Sequence, residues 1–276
     1  MQKQASLKAK LITSPYVAWA ALFIVAPMFF VVYYAFTDNT GAFTFDNIKA
    51  LSNYTEIFAR SISFGLIATI ICLLIAYPFA YILSQSGANV QKTMIMLIML
   101  PMWMNFLIRT YSWMALLQDT GLINAILGKL GIGPFHMINT GGAVILGMIY
   151  NFLPYMILPI YSVLTKLDRS LVEAAEDLGS NRFNVIKKVV IPLSMPGVVS
   201  GITMVFVPSV STFYISQKLG GGAFDLIGDT IEWQFHPAYN YNLGASLSMV
   251  LMLLILVCMA VMHRFTDNDE GGGMVI

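Results

Sequence analysis

Residues that could carry out chemistry are few in this chain. Its three histidines, His136, His236 and His263, lie at or beyond the ends of long apolar runs, and no H-E-x-x-H pairs two of them for a metal ion. The stretch GVVSG, Gly197 to Gly201, sets a serine among glycines with no histidine evident on a neighbouring run, so it reads as helix packing. The Gly-Lys of LGKLG, Leu127 to Gly131, has neither the following Ser or Thr nor the earlier glycine that a phosphate-cradling loop requires. No catalytic or metal-ligating residue is assigned. What remains is one charged stretch, LVEAAEDLGSNRFNVIKKVVIPL from Leu171 to Leu193, and sets of aromatic and polar side chains inside the apolar runs.

The elements that must hold these residues are set by composition. Of 276 residues, 58% are hydrophobic and only 11% charged, less than half the charged share of an ordinary soluble domain, so the chain belongs in a bilayer. Apolar runs of spanning length cover Tyr16 to Phe36, Ile62 to Ser84, Thr93 to Leu117, Gly142 to Thr165, Pro192 to Ser216 and Gly244 to Met262, which predicts six transmembrane helices in an all-α fold. The first run is too long for a signal peptide and is followed by no A-x-A site, so it is read as a retained span. With the N-terminus inside, the cytoplasmic side collects Lys3, Lys8, Lys10, Lys92, Lys166, Arg169, Arg182, Lys187, Lys188 and Arg264, against Lys49, Arg60, Lys129 and Lys218 outside. Both termini are therefore expected in the cytoplasm. The division is a cytoplasmic stretch 1–15, a six-span domain 16–262 with a cytoplasmic loop 168–192, and a cytoplasmic tail 263–276.

Every run but the last contains proline, which predicts bent, packed helices. Gly197 and Gly201 make a G-x-x-x-G that favours a close helix contact, with a second subunit as one partner for it. Cys72 and Cys258 are expected to pack as small hydrophobes.

The charged stretch cannot itself cross a membrane, because Glu173, Glu176, Asp177, Arg182, Lys187 and Lys188 would each cost roughly 2.5 to 3.5 kcal/mol near the bilayer centre. Its local pattern is helix, break, helix. Ser170 and Glu173 have capping-box spacing, with Asp168 adding negative charge to the same N-terminus. Leu171, Ala174, Ala175 and Leu178 share one face, and Gly179 supplies a left-handed C-terminal position. A second helix from about Arg182 sets Phe183, Ile186 and Val190 on one side until Pro192 stops it. The apolar face has two uses, lying on the protein's own spans or docking into another protein's groove, and the spacing alone favours neither.

Glu173-Ala174-Ala175, then Gly179, then Val189-Val190-Ile191-Pro192 resembles the EAA loop of the permease subunits of binding-protein-dependent ABC importers, with V-V-I-P where that family has I-x-L-P. The resemblance implies a type I, MetI-like permease whose Glu173, Ala174, Ala175, Asp177, Leu178, Gly179 and Pro192 couple it to a separate ATPase. ATP and magnesium would then be held by that partner, with no cofactor in this chain. Further strings, PMWMNFLIRTYSWMALL, VEAAEDLG, IPLSMPGVVSG, FYISQKLGGG and LIGDTIEWQF, resemble the spermidine/putrescine type, first of its two permease subunits. Implied with it are a heterodimer with a second permease, two ATP-binding subunits, an extracytoplasmic solute-binding protein, a small cationic substrate and a bacterial plasma-membrane location. Nucleic acid has no place in this scheme.

For a cationic substrate, aromatic faces offer attraction without a buried carboxylate. Trp103, Asn105 and Tyr111 in the third run, Tyr150, Asn151 and Tyr155 in the fourth, and Ser211 and Tyr214 in the fifth are candidates for the path, against the alternative of an interfacial belt and ordinary helix contacts. Arg109 is the only formal charge inside the six runs and reads as a snorkelling or bundle-facing structural residue. In the last outer segment Asp225, Asp229 and Glu232 have helical spacing beside Trp233, which would make one acidic face for receiving a cation or docking a binding protein, or a solvated loop face.

Overall fold

The computed structural model describes residues 13–270; the only strand-like pairing among them is an isolated bridge between Thr37 and Phe43. Lys3, Lys8, Lys10 and most of the stretch 1–15 lie outside the described residues, as does the end of the tail, 271–276. The chain divides into two compact units, Met1–Thr55 with Thr230–Leu253 and Glu56–Asp229 with Leu254–Ile276.

The first unit holds α1 (Thr13–Ala35) and the short α2 (Asp46–Ala50). Pro27 has no N–H to give the preceding turn, and the residues just before it, Ala21–Val25, widen into a π turn. Most of α1 is exposed, Tyr16, Trp19 and Phe23 included, as suits a helix whose neighbour is lipid or another chain. Its C-terminal end is tied down. The carbonyl of Thr37 accepts from Asn242 Nδ2 at 2.6 Å and from Asn47 Nδ2 at 2.8 Å, and that of Ala35 from Ser246 Oγ at 3.1 Å. These side chains satisfy carbonyls that a helix end leaves without partners.

The second unit is built on α3 (Thr55–Gln85), α4 (Ala88–Met99), α5 (Phe106–Leu117), α6 (Leu122–Lys129), α7 (Gly141–Leu164), α8 (Arg169–Asp177), α9 (Arg182–Val185), α10 (Ile191–Ser211) and α11 (Tyr214–Leu219). Two further helices, α12 (Ile227–Phe235) and α13 (Tyr241–Glu270), complete the described chain. Among the described residues, five stretches are long and apolar enough to cross a membrane, and a sixth results if Ala88–Trp103 and Phe106–Lys129, bent by 90° at their junction, form one span. The third run, read from sequence as Thr93 to Leu117, is thus broken. Pro101 sits in a tight turn, Leu100–Trp103, the backbone goes extended at Met104, and the Asn105 side chain restarts the helix by accepting from the Leu107 N–H at 2.8 Å.

Pro78, Pro154, Pro159, Pro196 and Pro208 all lie inside helices. Pro192 does not stop its helix, contrary to expectation. Helix continues from Arg182 to Ser211, with a π turn at Ile186–Val190 immediately ahead of the proline, the same arrangement as at Pro27. The fifth run ends at Ser211 rather than Ser216, because Thr212 is extended. The last helix runs beyond Met262 to Glu270, taking in the first part of the stretch 263–276 that was set apart as a tail.

Helices α7 and α10 form the centre of this unit, with Met148, Met156, Ile160, Val198 and Val205 buried in its core. Close approach is possible because Gly197 and Gly201 face α7. A Cβ at 197 would lie 2.9 Å from the Pro159 carbonyl oxygen and 3.1 Å from the Ile160 Cα, and one at 201 would lie 2.7 Å from Met156 Sδ. The G-x-x-x-G therefore makes the expected close helix contact, and its partner is this chain's own fourth span rather than a second subunit. Cys72 is buried as expected, while Cys258 is only partly so.

Candidate coupling surface and substrate path

The charged stretch folds as two short helices around a glycine. Its N-terminal cap differs from the expected box: Asp168, not Ser170, caps α8, its carboxylate accepting from the Ser170 N–H at 3.0 Å. That bond holds the exposed Asp168 carboxyl below the usual carboxylate range, the backbone N–H being the first cause and the Ser170 side chain the second. Helix α8 ends in a Schellman motif: Gly179 N–H donates to Glu176 O at 2.8 Å, Ser180 N–H to Ala175 O at 3.1 Å, and Gly179 has φ +80°. Asn181 then caps α9 by accepting from the Asn184 N–H at 2.9 Å, a role that an Asn just ahead of a helix favours.

The apolar residues of this segment divide between the core and the exposed surface. Val172 and Ala175 pack on the core and Val185 and Val190 are buried in it, so Ala175 leaves the face assigned to it with Leu171, Ala174 and Leu178. The expected side Phe183, Ile186, Val190 is also split, with Phe183 exposed and Val190 buried; the π turn between them rotates the following residues off α-helical register. Leu178 is 88% exposed and Phe183 71%, on either side of the Gly179 bend. Ala174 and Asp177 are exposed too. Glu173, freed from capping, lines a polar cavity of about 670 Å³ with Glu176, Arg182, Gln85, Gln91 and Tyr81. Gln91 braces the far wall, accepting from the Tyr161 hydroxyl at 2.8 Å and donating to Ser86 O at 2.8 Å.

Of the path candidates, Tyr111 and Tyr214 come together, ring centroids 6.1 Å apart at 85°. The Phe106 ring centroid is 6.1 Å from that of Tyr214. Tyr150 stacks edge-on with Trp113 at 5.3 Å. Asn151 is 1% exposed, donates to Gly147 O at 2.9 Å, and leaves its Oδ1 without a hydrogen-bond partner among the described residues. Ser211 donates to Val207 O in its own helix, and Asn105 is the cap of α5. Trp103 and Tyr155 are exposed and make no ring contact among the described residues. Arg109 is bundle-facing, not snorkelling: it is 8% exposed, its guanidinium carbon 5.9 Å from the Phe106 ring, its Nε and Nη1 without hydrogen-bond partners among the described residues.

Residues 9–268 match the family of binding-protein-dependent transport system inner membrane components. The chain belongs to that family. The permease is 37% identical over 257 residues to the spermidine/putrescine transport system permease protein PotB of Haemophilus influenzae, with 90% of each chain covered. To the protein of the same name in Escherichia coli it is 35% identical over 258 residues, covering 90% of this chain and 94% of that one. Among solved structures, it overlays with a TM-score of 0.77 on a chain of a bacterial ABC transporter involved in the import of the acidic polysaccharide alginate, at 16% identity over 97% of this chain and 99% of that one. An inward-facing MetNI methionine ABC transporter gives a TM-score of 0.59 at 15% identity, over 78% of this chain and 95% of the other. At those identities the likeness is one of fold.

The segment from Lys218 to Asn242, expected on the outer side, departs from its predicted form. Asp225 precedes α12, and Asp229 is only 6% exposed, its Oδ2 accepting from the Leu226 N–H at 2.7 Å while the Ile227 N–H donates to Ser61 Oγ at 2.7 Å. Asp229 organises the start of its own helix, so it does not join Asp225 in an exposed acidic face. Glu232 is half-buried and Trp233 exposed at 59%. Lys218, which sequence reasoning counted only as an outer-side charge, belongs to the ring cluster: its ammonium lies 5.7 Å from the Tyr111 centroid and 5.5 Å from that of Tyr214.

Proposed function

We propose that this permease is one of two unlike permease subunits of an ATP-driven importer for polyamines of the spermidine/putrescine type. It is a non-catalytic subunit, with ATP and magnesium bound by two separate ATPase subunits and the substrate delivered by an extracytoplasmic binding protein. The identity of more than a third to a spermidine/putrescine permease along nine-tenths of both chains carries the substrate reading. Both termini face the cytoplasm, a reading supported by the distribution of Lys and Arg between the two sides.

The coupling assignment rests on one observation, the exposure of Leu178 and Phe183 beside the Gly179 bend in a segment too charged to enter lipid. Two large apolar side chains on an exposed loop are what helix-in-groove docking uses. In the working cycle, closure of the ATPase subunits pushes α8 and α9. Because Val185 and Val190 are buried in the core and helix continues through the π turn into α10, the push passes to the fifth span. Reconstitution of this subunit with its second permease, ATPase and binding protein in proteoliposomes tests the proposal: ATP-dependent uptake of radiolabelled spermidine is expected. Uptake without the ATPase, or none with the full set, overturns it.

A further inference from the structure

The ring cluster that sequence reasoning offered to a cationic substrate already holds a cation. Tyr111 and Tyr214 stand nearly perpendicular, and the Lys218 ammonium sits within 6 Å of both centroids, the range over which a ring face attracts a cation. The end of a lysine side chain is a butylammonium. An aliphatic polyamine ends in the same chemical group.

Two positive charges border this ring cluster, and they are not equivalent. Arg109 stands against Phe106, whose ring adjoins Tyr214, and is buried to 8% exposure. Lys218 is half-buried at the last turn of α11, on a four-carbon stem that can swing. Among the described residues neither makes an ion pair with a carboxylate. A polycation reaching this corner would be repelled by both charges. Only Lys218 can move aside, and Tyr111, 45% exposed, is reachable once it does.

We propose that Lys218 is a tethered occupant of an amine site formed by Tyr111 and Tyr214, one that the substrate's terminal ammonium displaces during passage. In the resting state the protein's own ammonium occupies the rings. The site is therefore weak by construction, which keeps substrate from being trapped on its way through and keeps free amines from binding without delivery. This inference rests on the polyamine reading of the substrate.

The test is equilibrium binding of radiolabelled spermidine to the purified complex of both permeases and the ATPase, without the binding protein. Lys218→Met is expected to tighten binding roughly three- to tenfold, while Lys218→Arg, which keeps a cation, leaves it near wild type. In a Tyr111→Leu, Tyr214→Leu background, Lys218→Met is expected to change nothing. Because Lys218→Met could disturb α11, a second route is Lys218→Cys. Its binding should be tight as the thiol and fall back when 2-aminoethyl methanethiosulfonate restores an ammonium, with the wild-type complex, which keeps Cys72 and Cys258, as labelling control. Unchanged or weaker binding in Lys218→Met and in unlabelled Lys218→Cys overturns the proposal, as does tightening that persists without the two tyrosines. Spermidine uptake by the wild-type importer separates the two claims: if uptake is present and the Lys218 variants bind like wild type, this proposal alone falls; if uptake is absent, the substrate reading falls and takes this proposal with it.

Discussion

The loop at 168–192 and the ring cluster of Phe106, Tyr111, Tyr214 and Lys218 are both polar interruptions in an apolar chain, but they are built in opposite ways. In the loop nearly every defining bond is local: Asp168 to Ser170, Gly179 to Glu176, Ser180 to Ala175, Asn181 to Asn184. In the cluster, the contacts that bring Tyr111 to Tyr214 and Lys218 join α5 to α11, about a hundred residues apart in the chain. On the proposed coupling, a surface pushed by an ATPase is well served by capped helices that each carry their own end bonds. On the proposed displacement of Lys218, the cluster is served by contacts between separate elements, which can part while each helix stays intact.

Substitutions at five residues test this contrast, beginning with the strongest effect. Gly197→Val places side-chain atoms against the Pro159 carbonyl and the Ile160 backbone, where neither neighbour has a flexible end to move. Overpacking of this kind costs about 1–3 kcal/mol or more, and both regions hang from the α7–α10 contact. Loss of folded permease from the membrane fraction is expected, and wild-type thermal stability in detergent would mean that the two helices are not packed as described.

Next, Leu178→Glu with Phe183→Glu replaces both exposed apolar side chains of the loop. Loss of ATPase co-purification is expected while the permease still inserts and still pairs with its second subunit. If the ATPase remains bound at wild-type stoichiometry, the docking surface lies elsewhere.

Gly179→Ala is milder. A φ of +80° costs a residue with a Cβ about 1–2 kcal/mol, which should loosen the bend and lower ATP-driven uptake severalfold without releasing the ATPase. Spermidine binding to the complex measures the ring cluster at the same time, and it should not change; if it does, the two regions are not independent.

The smallest effect is expected at Asp168. Replacing an N-cap by Ala typically costs about 0.5–2 kcal/mol, so Asp168→Ala should speed amide exchange in the first turn of α8 and reduce coupling only modestly. The same cap predicts a pH dependence. Since the folded-state pKa is lowered, the cap's contribution is present above the unfolded aspartate value of 3.8 and is lost as pH falls through the lower folded value. Amide exchange at Ser170, compared between wild type and Asp168→Asn across that acid range, should converge at its lower end. Parallel curves throughout would remove Asp168 as the cap.

Much of the loop was legible from the sequence because its signals act within a few residues. Gly179 was read as the left-handed position, and it is; the cap was misassigned to Ser170 and Glu173 because Asp168 offers the same chemistry two residues earlier, and only the backbone turn decides between them. The π turn ahead of Pro192 was not legible, since a proline in an apolar run can end a helix or merely widen its turn, according to what packs around it. Asp229 was misread for a related reason. Its spacing from Asp225 suggested a shared face, but the helix begins at Ile227, whose N–H donates to Ser61 Oγ in another span.

Sequence alone determined that the chain is a membrane-spanning bundle with one charged loop kept out of the lipid, because the cost of burying charge and the length of apolar runs depend on composition along the chain. It also determined that Gly197 and Gly201 allow a close contact. Tertiary structure alone decided that their partner is α7, that the third apolar run breaks at Asn105, and that the tyrosine rings suited to a cationic substrate are already covered by Lys218. Those outcomes depend on which faces meet across tens of residues, and side-chain packing between distant elements leaves no periodicity in the sequence from which to read it.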